Sequence, residues 1–343
     1  MITRYRRAAV AAAVGAAVFA ASACAGTSAV SPASGVGAQT APALRPHVSP
    51  ADACSTKACI YVTDRYVNMI TVYAKGTHGN VAPVRNITGA LTGLNQPVGI
   101  SVDSSRAVHV ANFAGNSVTV YAAGSTGNVA PTKTISGSNT LLGGPVFAAT
   151  DSVGKSYVVN WSNASIDVFA AGASGNVAPI KTISGSNTTL FEPLTLVLDS
   201  SKNMFVTNFA LSSVLVFAAG AHGNVHPTRM ISGSNTLLNG PGGLAFDSAG
   251  NIYVTNYNSN SVNVYAAGAS GNAAPIRSIV GASTGLSTPV AVSVDSSGKI
   301  YVTNLGSNSV TVYAATANGN AAPIRTLVGA NTLLSSPSGM ALR

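Results

Sequence analysis

The sequence Ile252-Tyr253-Val254-Thr255-Asn256 is followed by Ser261-Val262-Asn263-Val264-Tyr265-Ala266 and then by Gly271-Asn272-Ala273-Ala274-Pro275, and this three-part unit returns every 48 residues. Its closing asparagine recurs, with one aspartate, at Asp64, Asn112, Asn160, Asn208, Asn256 and Asn304. Its Gly-Asn pair begins at Gly79, Gly127, Gly175, Gly223, Gly271 and Gly319. A proline follows each pair at Pro83, Pro131, Pro179, Pro227, Pro275 and Pro323. A fixed period of 40 to 50 residues made of short strands is typical of β-propeller blades.

Each repeat contains four strand-like segments, which in the clearest copy are residues 252–255, 262–265, 276–280 and 290–294. They are rich in β-branched and aromatic residues and are bounded by Gly, Asn, Pro and Ser, which is the strand signature. Between the fourth segment and the next copy comes a tight-turn sequence that starts at Asp103, Asp151, Asp199, Asp247 and Asp295. Aspartate there can bond its own backbone, and a following Gly or Asn can take positive φ.

The order of the strands predicts how the ring closes. Second strands start at Ile60, Ala107, Ser156, Met204, Ile252 and Ile300, and inner strands start at Pro97, Pro145, Pro193, Pro241, Pro289 and Pro337. The repeats therefore begin on a second strand and end on an inner strand, residues 337–342. We expect an all-β, six-bladed propeller of four-stranded blades, in which the last inner strand completes the first blade and leaves no inner edge unpaired.

Two repeat families resemble this unit. Tyr301-Val302-Thr303-Asn304 followed by Ser-Asn-Ser-Val-x-Val-Tyr is similar to the YVTN type of β-propeller repeat, and residues 241–254 resemble the NHL repeat. The resemblance covers the chain from about Ile60 onward and implies the propeller fold. These families include extracellular sensor domains, surface proteins, scaffolds and a few lyases and lactonases, so the resemblance implies no single activity.

The N-terminal residues are typical of an export signal. Residues 1–23 combine three arginines with an Ala/Val run that is too short for a membrane span, and end in small residues before Cys24. Small residues before a cysteine resemble a bacterial lipobox, in which Cys24 would be acylated; the alternative is plain signal cleavage with a free Cys24. Residues 24–53 are low in charge and rich in Ala, Ser, Gly, Thr and Pro, which predicts a flexible tether. Residues 54–343 would form the propeller.

The three cysteines are consistent with an oxidising compartment outside the cytoplasm. Cys54 and Cys59 can pair locally under oxidising conditions, which leaves Cys24 as the odd cysteine that acylation would explain. We therefore expect a secreted or extracytoplasmic protein, held at the membrane only through a lipid on Cys24.

Composition argues against several classes of function. Removing the three leader arginines from the net charge of +9 leaves about +6, with no clustered basic helix, so nucleic acid is not an expected partner. Outside the turns and the tether the acidic residues are Asp64, Asp167 and Glu192, which do not form a recognisable catalytic or metal cluster. His78 and His222 share one loop position three blades apart and are interpreted as solvated. We therefore predict no catalytic residue, no metal and no cofactor.

One position varies in an informative way. The residue after the repeated asparagine is Arg65, Phe113, Trp161, Phe209, Tyr257 or Leu305. These side chains would ring one face of the propeller, and we expect Phe147, Phe191 and Glu192 to lie near them. Aromatic rings beside a carboxylate suit sugar rings or extended peptides. The alternative is that each ring only packs against the next blade.

A second repeated position is basic. It is occupied by Arg85, Lys133, Lys181, Arg229, Arg277 and Arg325, in the fourth and outermost strand. The favoured interpretation is that these charges keep exposed edge strands from pairing with other molecules. Attraction to anionic polymers or lipid headgroups is the alternative.

These observations predict a non-catalytic binding or interaction module at a bacterial cell surface. The ligand-binding residues would be Arg65, Phe113, Phe147, Trp161, Phe191, Glu192, Phe209 and Tyr257. The partner would be a cell-wall polymer, a glycan or a peptide, and the protein would be a monomer. The alternatives are a propeller enzyme of the lyase or lactonase type and a structural surface-coat protein.

Overall fold

The structure is a computed structural model, and it describes Cys54 and residues 58–343. In this part of the chain, 24 strands form six antiparallel sheets of four strands each. The six-bladed propeller is therefore confirmed. No helix among the described residues is long and apolar enough to cross a membrane.

The strands repeat in one order from the central channel outward. The inner strands are β4 (Pro97–Val102), β8 (Pro145–Thr150), β12 (Pro193–Leu198), β16 (Pro241–Phe246), β20 (Pro289–Val294) and β24 (Pro337–Leu342). The second strands are β1 (Cys59–Asp64), β5 (Val108–Asn112), β9 (Ser156–Asn160), β13 (Met204–Asn208), β17 (Ile252–Asn256) and β21 (Ile300–Asn304). The third strands are β2 (Met69–Ala74), β6 (Ser117–Tyr121), β10 (Ser165–Phe169), β14 (Ser213–Phe217), β18 (Ser261–Tyr265) and β22 (Ser309–Tyr313). The outer strands are β3 (Arg85–Ile87), β7 (Lys133–Ser136), β11 (Lys181–Ile183), β15 (Arg229–Ile231), β19 (Arg277–Ile279) and β23 (Arg325–Leu327).

Blade 1 consists of β24, β1, β2 and β3, and blades 2 to 6 follow in chain order from β4 to β23. The turns between second and third strands, together with the loops that lead into the inner strands, lie at one end of the ring, here called the upper face. The turns between inner and second strands, which contain the repeated aspartates, lie at the other end, the lower face.

The loops into the inner strands contain short 3₁₀ turns that the sequence did not predict. They are Ser138–Thr140, Ser186–Thr188, Ser234–Thr236, Ala282–Thr284 and Ala330–Thr332. In each, the buried threonine hydroxyl bonds the carbonyl of the glycine three residues earlier, as Thr140 does with Gly137 at 2.7 Å. A further 3₁₀ turn, Leu305–Ser307, follows β21.

The first and last strands close the ring as predicted. β24 pairs antiparallel with β1, from Ile60 opposite Leu342 to Asp64 opposite Pro337. Beyond this ladder the Cys59 amide donates to the Arg343 carbonyl at 2.5 Å, and the Arg343 amide donates back at 3.0 Å. Blade 1 is therefore assembled from both ends of the described chain.

The threonine of the Tyr-Val-Thr-Asn segment links adjacent blades. β16 has a register shift after its first residue, which takes the Gly243 amide out of the regular ladder. That amide donates to Thr255 Oγ1 at 2.7 Å, and Thr255 Oγ1 donates to the Val290 carbonyl of the next blade at 3.2 Å. Thr207 makes the same pair of contacts in blade 4. The hydroxyl thus satisfies a buried amide that would otherwise have no partner.

The Gly-Asn pairs join the blades around the circumference. The Gly127 amide donates to the Asn86 carbonyl in the outer strand of the preceding blade at 2.7 Å. The next residue, Asn128, accepts the Leu91 amide on Oδ1 at 2.8 Å. All six pairs form the equivalent bridge with the neighbouring outer strand. The outer edge of each blade is therefore partly covered by the next blade.

The basic ring takes part in the same junctions, which differs from the exposed-edge interpretation. Arg277 Nη1 donates to the Ala315 carbonyl of the next blade at 2.6 Å, and its Nη2 donates to the Tyr253 hydroxyl at 2.8 Å. Lys181 Nζ donates to the Gly220 carbonyl at 2.8 Å. Arg85 is only 8% exposed. Arg277 and Lys181 therefore link neighbouring blades, because each is long enough to cross from an outer strand to the following blade.

Candidate functional site

The repeated asparagine positions the upper face. At the end of β17, Asn256 Oδ1 accepts the amide of Asn239, in the loop leading into the inner strand of the same blade, at 3.0 Å. The equivalent acceptors are Asp64, Asn112, Asn160, Asn208 and Asn304. Each fixes a turn and a loop to one another, so the following residue is presented at the upper face in all six blades.

Three of the predicted aromatic residues form a continuous arc. The ring centroids of Trp161 and Phe209 lie 5.8 Å apart with an interplanar angle of 50°, and those of Phe209 and Tyr257 lie 5.9 Å apart at 72°. All three side chains are half-buried. Such tilted contacts are favourable for aromatic pairs and leave part of each ring open to solvent. The rings therefore pack against neighbouring blades and also form an exposed surface.

Arg65 extends the arc on the other side. Its guanidinium carbon lies 4.8 Å from the centroid of Phe113, within the range of cation–π attraction. Nη2 also donates to Gln96 Oε1 at 3.2 Å. Burial lowers the pKa of Arg65 from its usual value, although the side chain stays charged at neutral pH. Leu305 supplies the sixth position, without an aromatic ring.

Tyr66 is a member of this face that sequence reasoning missed. Its ring lies 5.5 Å from the Arg65 guanidinium carbon and the residue is 47% exposed. Burial raises the pKa of Tyr66, the Arg65 charge lowers it, and Tyr257 raises it again. The sequence did contain a signal for Tyr66, because no other blade has an aromatic residue at the second position after the repeated asparagine or aspartate.

Phe191 and Glu192 lie beside Phe209. The Phe191 amide donates to Asn208 Oδ1 at 2.7 Å, and the Phe209 amide donates to the Glu192 carbonyl at 3.1 Å. Phe191 is 42% exposed. The loop before β12 therefore places both residues on the upper face next to the arc.

Phe147 lies elsewhere. It is the third residue of β8 and lines the central channel, where its ring covers Gly99 of the adjacent inner strand; a Cβ at Gly99 would lie 2.6 Å from Phe147 Cδ2. The other residues that the structure places around the same cavity all belong to inner strands. Phe147 is thus a channel residue and not part of the aromatic arc.

The two non-turn aspartates are buried inside different blades. Asp64 accepts the Ser335 amide at 2.8 Å and the Thr71 hydroxyl at 3.2 Å, and burial raises its pKa to about 7. Asp167 accepts Asn160 Nδ2 at 2.7 Å and the Thr182 hydroxyl at 2.6 Å, and burial raises its pKa to about 6. Both carboxyls are held by groups of their own blade, so their geometry indicates a structural role.

The histidines also bond locally. Nδ1 of His78 lies 3.3 Å from the Gly76 carbonyl, and Nδ1 of His222 lies 3.3 Å from the Gly220 carbonyl. His109 Nε2 lies 3.0 Å from Asp103 Oδ2 on the lower face. Within Cys54 and residues 58–343, no three His, Cys, Asp or Glu side chains come together as metal ligands could.

Cys54 and Cys59 form a disulfide with their Cα atoms 5.7 Å apart. The Cys54 carbonyl accepts Arg106 Nη1 at 2.9 Å, which ties the start of the described chain to blade 2. Cys24, the predicted site of acylation, lies outside the described residues, as do the whole of the predicted leader and the whole of the predicted tether.

Comparison with known proteins shows the fold. Residues 238–265 match the NHL repeat. A protein of unknown function from Bacteroides caccae superposes with a TM-score of 0.61 at 10% identity, covering 84% of this chain and 99% of that chain. A chain of the nidogen/laminin complex gives 0.59 at 14% identity, covering 83% and 98%, and a streptogramin B lyase gives 0.56 at 12% identity, covering 82% of each.

No functionally curated protein matches the sequence. The solved structures are distant in sequence and carry different functions, so they share the architecture and nothing finer. The 48-residue repeat and the six four-stranded blades show that this chain is a six-bladed β-propeller, and residues 238–265 in blade 5 match the NHL repeat.

Proposed function

We propose that this protein is a non-catalytic binding module outside the cytoplasm, at a bacterial cell surface, and that it binds a glycan of the cell wall through the upper face. The observation that carries the proposal is the arc of half-buried rings formed by Trp161, Phe209 and Tyr257. Apolar faces of sugar rings stack on such side chains, while the hydroxyls of the sugar need nearby polar groups. Arg65 supplies a charged donor and Glu192 a carboxylate on the same face.

The predicted export signal supports the proposed cellular location. A leader over residues 1–23 and a lipid on Cys24 would deliver the propeller to the outer side of the membrane. The tether would then allow the upper face to reach polymers beyond the membrane surface.

Trp161 is the only tryptophan in the chain, so its fluorescence reports directly on this face. We expect cell-wall glycan fragments to quench or shift this fluorescence in a saturable titration. By calorimetry, Trp161→Ala and Phe209→Ala should each weaken binding of the same fragment about tenfold, which corresponds to about 1.4 kcal/mol. The matched control is Leu305→Ala, which changes the equivalent position where no aromatic ring is present.

Unchanged affinity in both aromatic variants would show that the ligand binds elsewhere. Failure of every glycan to bind would favour the structural surface-coat alternative or a protein partner. The alternative of a lyase or lactonase is supported by the fold, which the streptogramin B lyase also has. Among the described residues, however, no cluster of side chains could bind a metal ion.

A further inference from the structure

The central channel contains a cavity that is separate from the aromatic arc. Its volume is about 340 Å³, and all six inner strands line it. The lining includes the last residues of several inner strands, such as Val102, Phe246 and Val294, which lie next to the turns of the lower face. No residue of the arc contributes to it. The cavity is therefore closer to the lower face than to the upper one.

The lining is mostly apolar. Val197, Ala245, Val294 and Leu342 are half-buried there, and each also packs against a core cluster between blades. None of the lining residues is charged. The hydroxyl groups are those of Ser101, Thr195 and Ser293, and Ser101 already donates to the Ala148 carbonyl at 2.7 Å.

Backbone groups add to this lining, because each inner strand pairs with a second strand on one side only and turns its other edge to the channel. These amides and carbonyls can bond water or polar groups of a ligand. None of them carries a charge, so a charged ligand would lose its hydration without gaining a charged partner.

Phe147 adds an aromatic wall. The equivalent third positions of the other inner strands are Gly99, Thr195, Gly243, Ala291 and Gly339. These smaller residues leave open the space into which one phenyl ring projects. The channel thus has one large aromatic contact and a few hydroxyl groups, which is a typical arrangement of a small-molecule site.

We propose that this cavity binds one uncharged, largely apolar small molecule, which enters from the lower face and contacts Phe147. A hydroxyl or carbonyl group of the ligand would bond Thr195 or Ser293. The volume lies at the lower end of the range that small-molecule sites occupy. The site is independent of glycan binding at the upper face.

The test uses N-phenyl-1-naphthylamine, a neutral apolar dye that fluoresces when it leaves water. We expect saturable binding of one dye per chain to the purified propeller. Ala291→Phe should weaken this binding at least tenfold, because it places a second ring in blade 6, opposite Phe147 in blade 3. The fold should accept it, since Ala291 lies against Gly243 as Phe147 lies against Gly99.

A second blocking variant, Ala245→Leu, guards against misfolding of the first, and thermal melting identifies which variants are folded. Trp161→Ala is the matched control and should leave dye binding unchanged, although it removes the proposed glycan contact. The proposal is wrong if the dye does not bind saturably, or if a folded blocking variant keeps full affinity. Loss of dye binding in Trp161→Ala would assign the dye to the upper face and also overturn it.

Discussion

Asp64 occupies a position where the other five blades have asparagine, and this single exchange lies at the junction that closes the ring. Its Oδ1 accepts the Ser335 amide of the loop before β24. In blade 6, Asn304 makes the equivalent contact through Oδ1 and also donates from Nδ2 to Thr311 Oγ1 at 3.0 Å. A carboxylate cannot donate in this way, and it is fully buried here. The closing blade is therefore the one that contains a buried acid at this position.

The raised pKa of Asp64 predicts how stability depends on pH. Its pKa rises from 3.8 in the unfolded chain to about 7 in the folded protein, so the folded state holds the proton more tightly. The Asp64 carboxyl therefore contributes its full stabilisation of the folded state below pH 4. This contribution, up to about 4 kcal/mol, is lost as the pH rises to about 7. Asp64→Asn should therefore raise the melting temperature at pH 8 and change it little at pH 4.

The comparison must allow for Asp167, whose pKa is also raised and which adds pH dependence of the same sign. Tyr73, in the third strand of blade 1, stays neutral over this range because burial raises its pKa. The reciprocal control, Asn304→Asp, should add a loss of stability above neutral pH in blade 6. A melting curve of Asp64→Asn that shifts equally at pH 4 and pH 8 would contradict the assignment.

The Gly-Asn loop acts at the scale of the strand. In blade 3 the Gly175 amide donates to the Thr134 carbonyl of β7 at 2.6 Å, and Asn176 Oδ1 accepts the Asn139 amide at 2.7 Å. Gly137 lies just before the 3₁₀ turn Ser138–Thr140 and has a φ of 116°. A Cβ at Gly137 would lie 2.5 Å from the Asn176 side chain. The pair therefore determines the conformation of the loop that connects the outer strand of blade 2 to the inner strand of blade 3.

Removing one such side chain should loosen one junction only. We expect Asn176→Ala to cost about 1–2 kcal/mol, since it leaves a loop amide without its partner. Hydrogen exchange should accelerate at Asn139 and its neighbours and stay unchanged at the equivalent loop near Asn235. Uniform acceleration in all blades would instead indicate that the ring unfolds as one unit.

Some of these element-scale features could be predicted from the sequence and others could not. Strand positions follow from alternation, and only the ends differ, as at Val108, where β5 starts one residue after the predicted Ala107. The bonding of Asn176 joins residues 37 apart in two different loops, which no local pattern reveals. Phe147 was expected near the arc because it replaces a small residue at the start of an inner strand, whereas the third position of β8 faces the channel.

At the scale of the whole molecule, closure predicts tolerance to new chain ends. Because Cys59 and Arg343 bond each other, joining residues 343 and 58 through a two-residue linker and opening the chain in the lower-face turn at Asp247 should preserve a folded propeller. Deleting residues 337–343 should instead lower the melting temperature strongly, since blade 1 loses its inner strand. Circular dichroism melts of both variants test this. A truncated chain as stable as the full one would show that β24 contributes little.

The ring and its closure could be predicted because a 48-residue period and two strand positions are enough to count blades. The binding face was predicted only in part: the position after the asparagine indicated the arc, but Tyr66 lies outside the repeat pattern. The basic ring was misinterpreted, because an outer strand appears exposed when only its own blade is considered. The binding face and the basic ring both depend on contacts between repeats, which the sequence of a single repeat does not reveal.

The pairing of β24 with β1 also affects how the protein is made. The chain is synthesised from its N-terminus, so the inner edge of β1 stays unpaired until β24 has been made. During that interval the edge of β1 can accept a strand from another molecule, and the unpaired β24 of a finished chain can supply it. A high local concentration of new chains would thus favour strand exchange between copies, and a low concentration would favour closure within each copy.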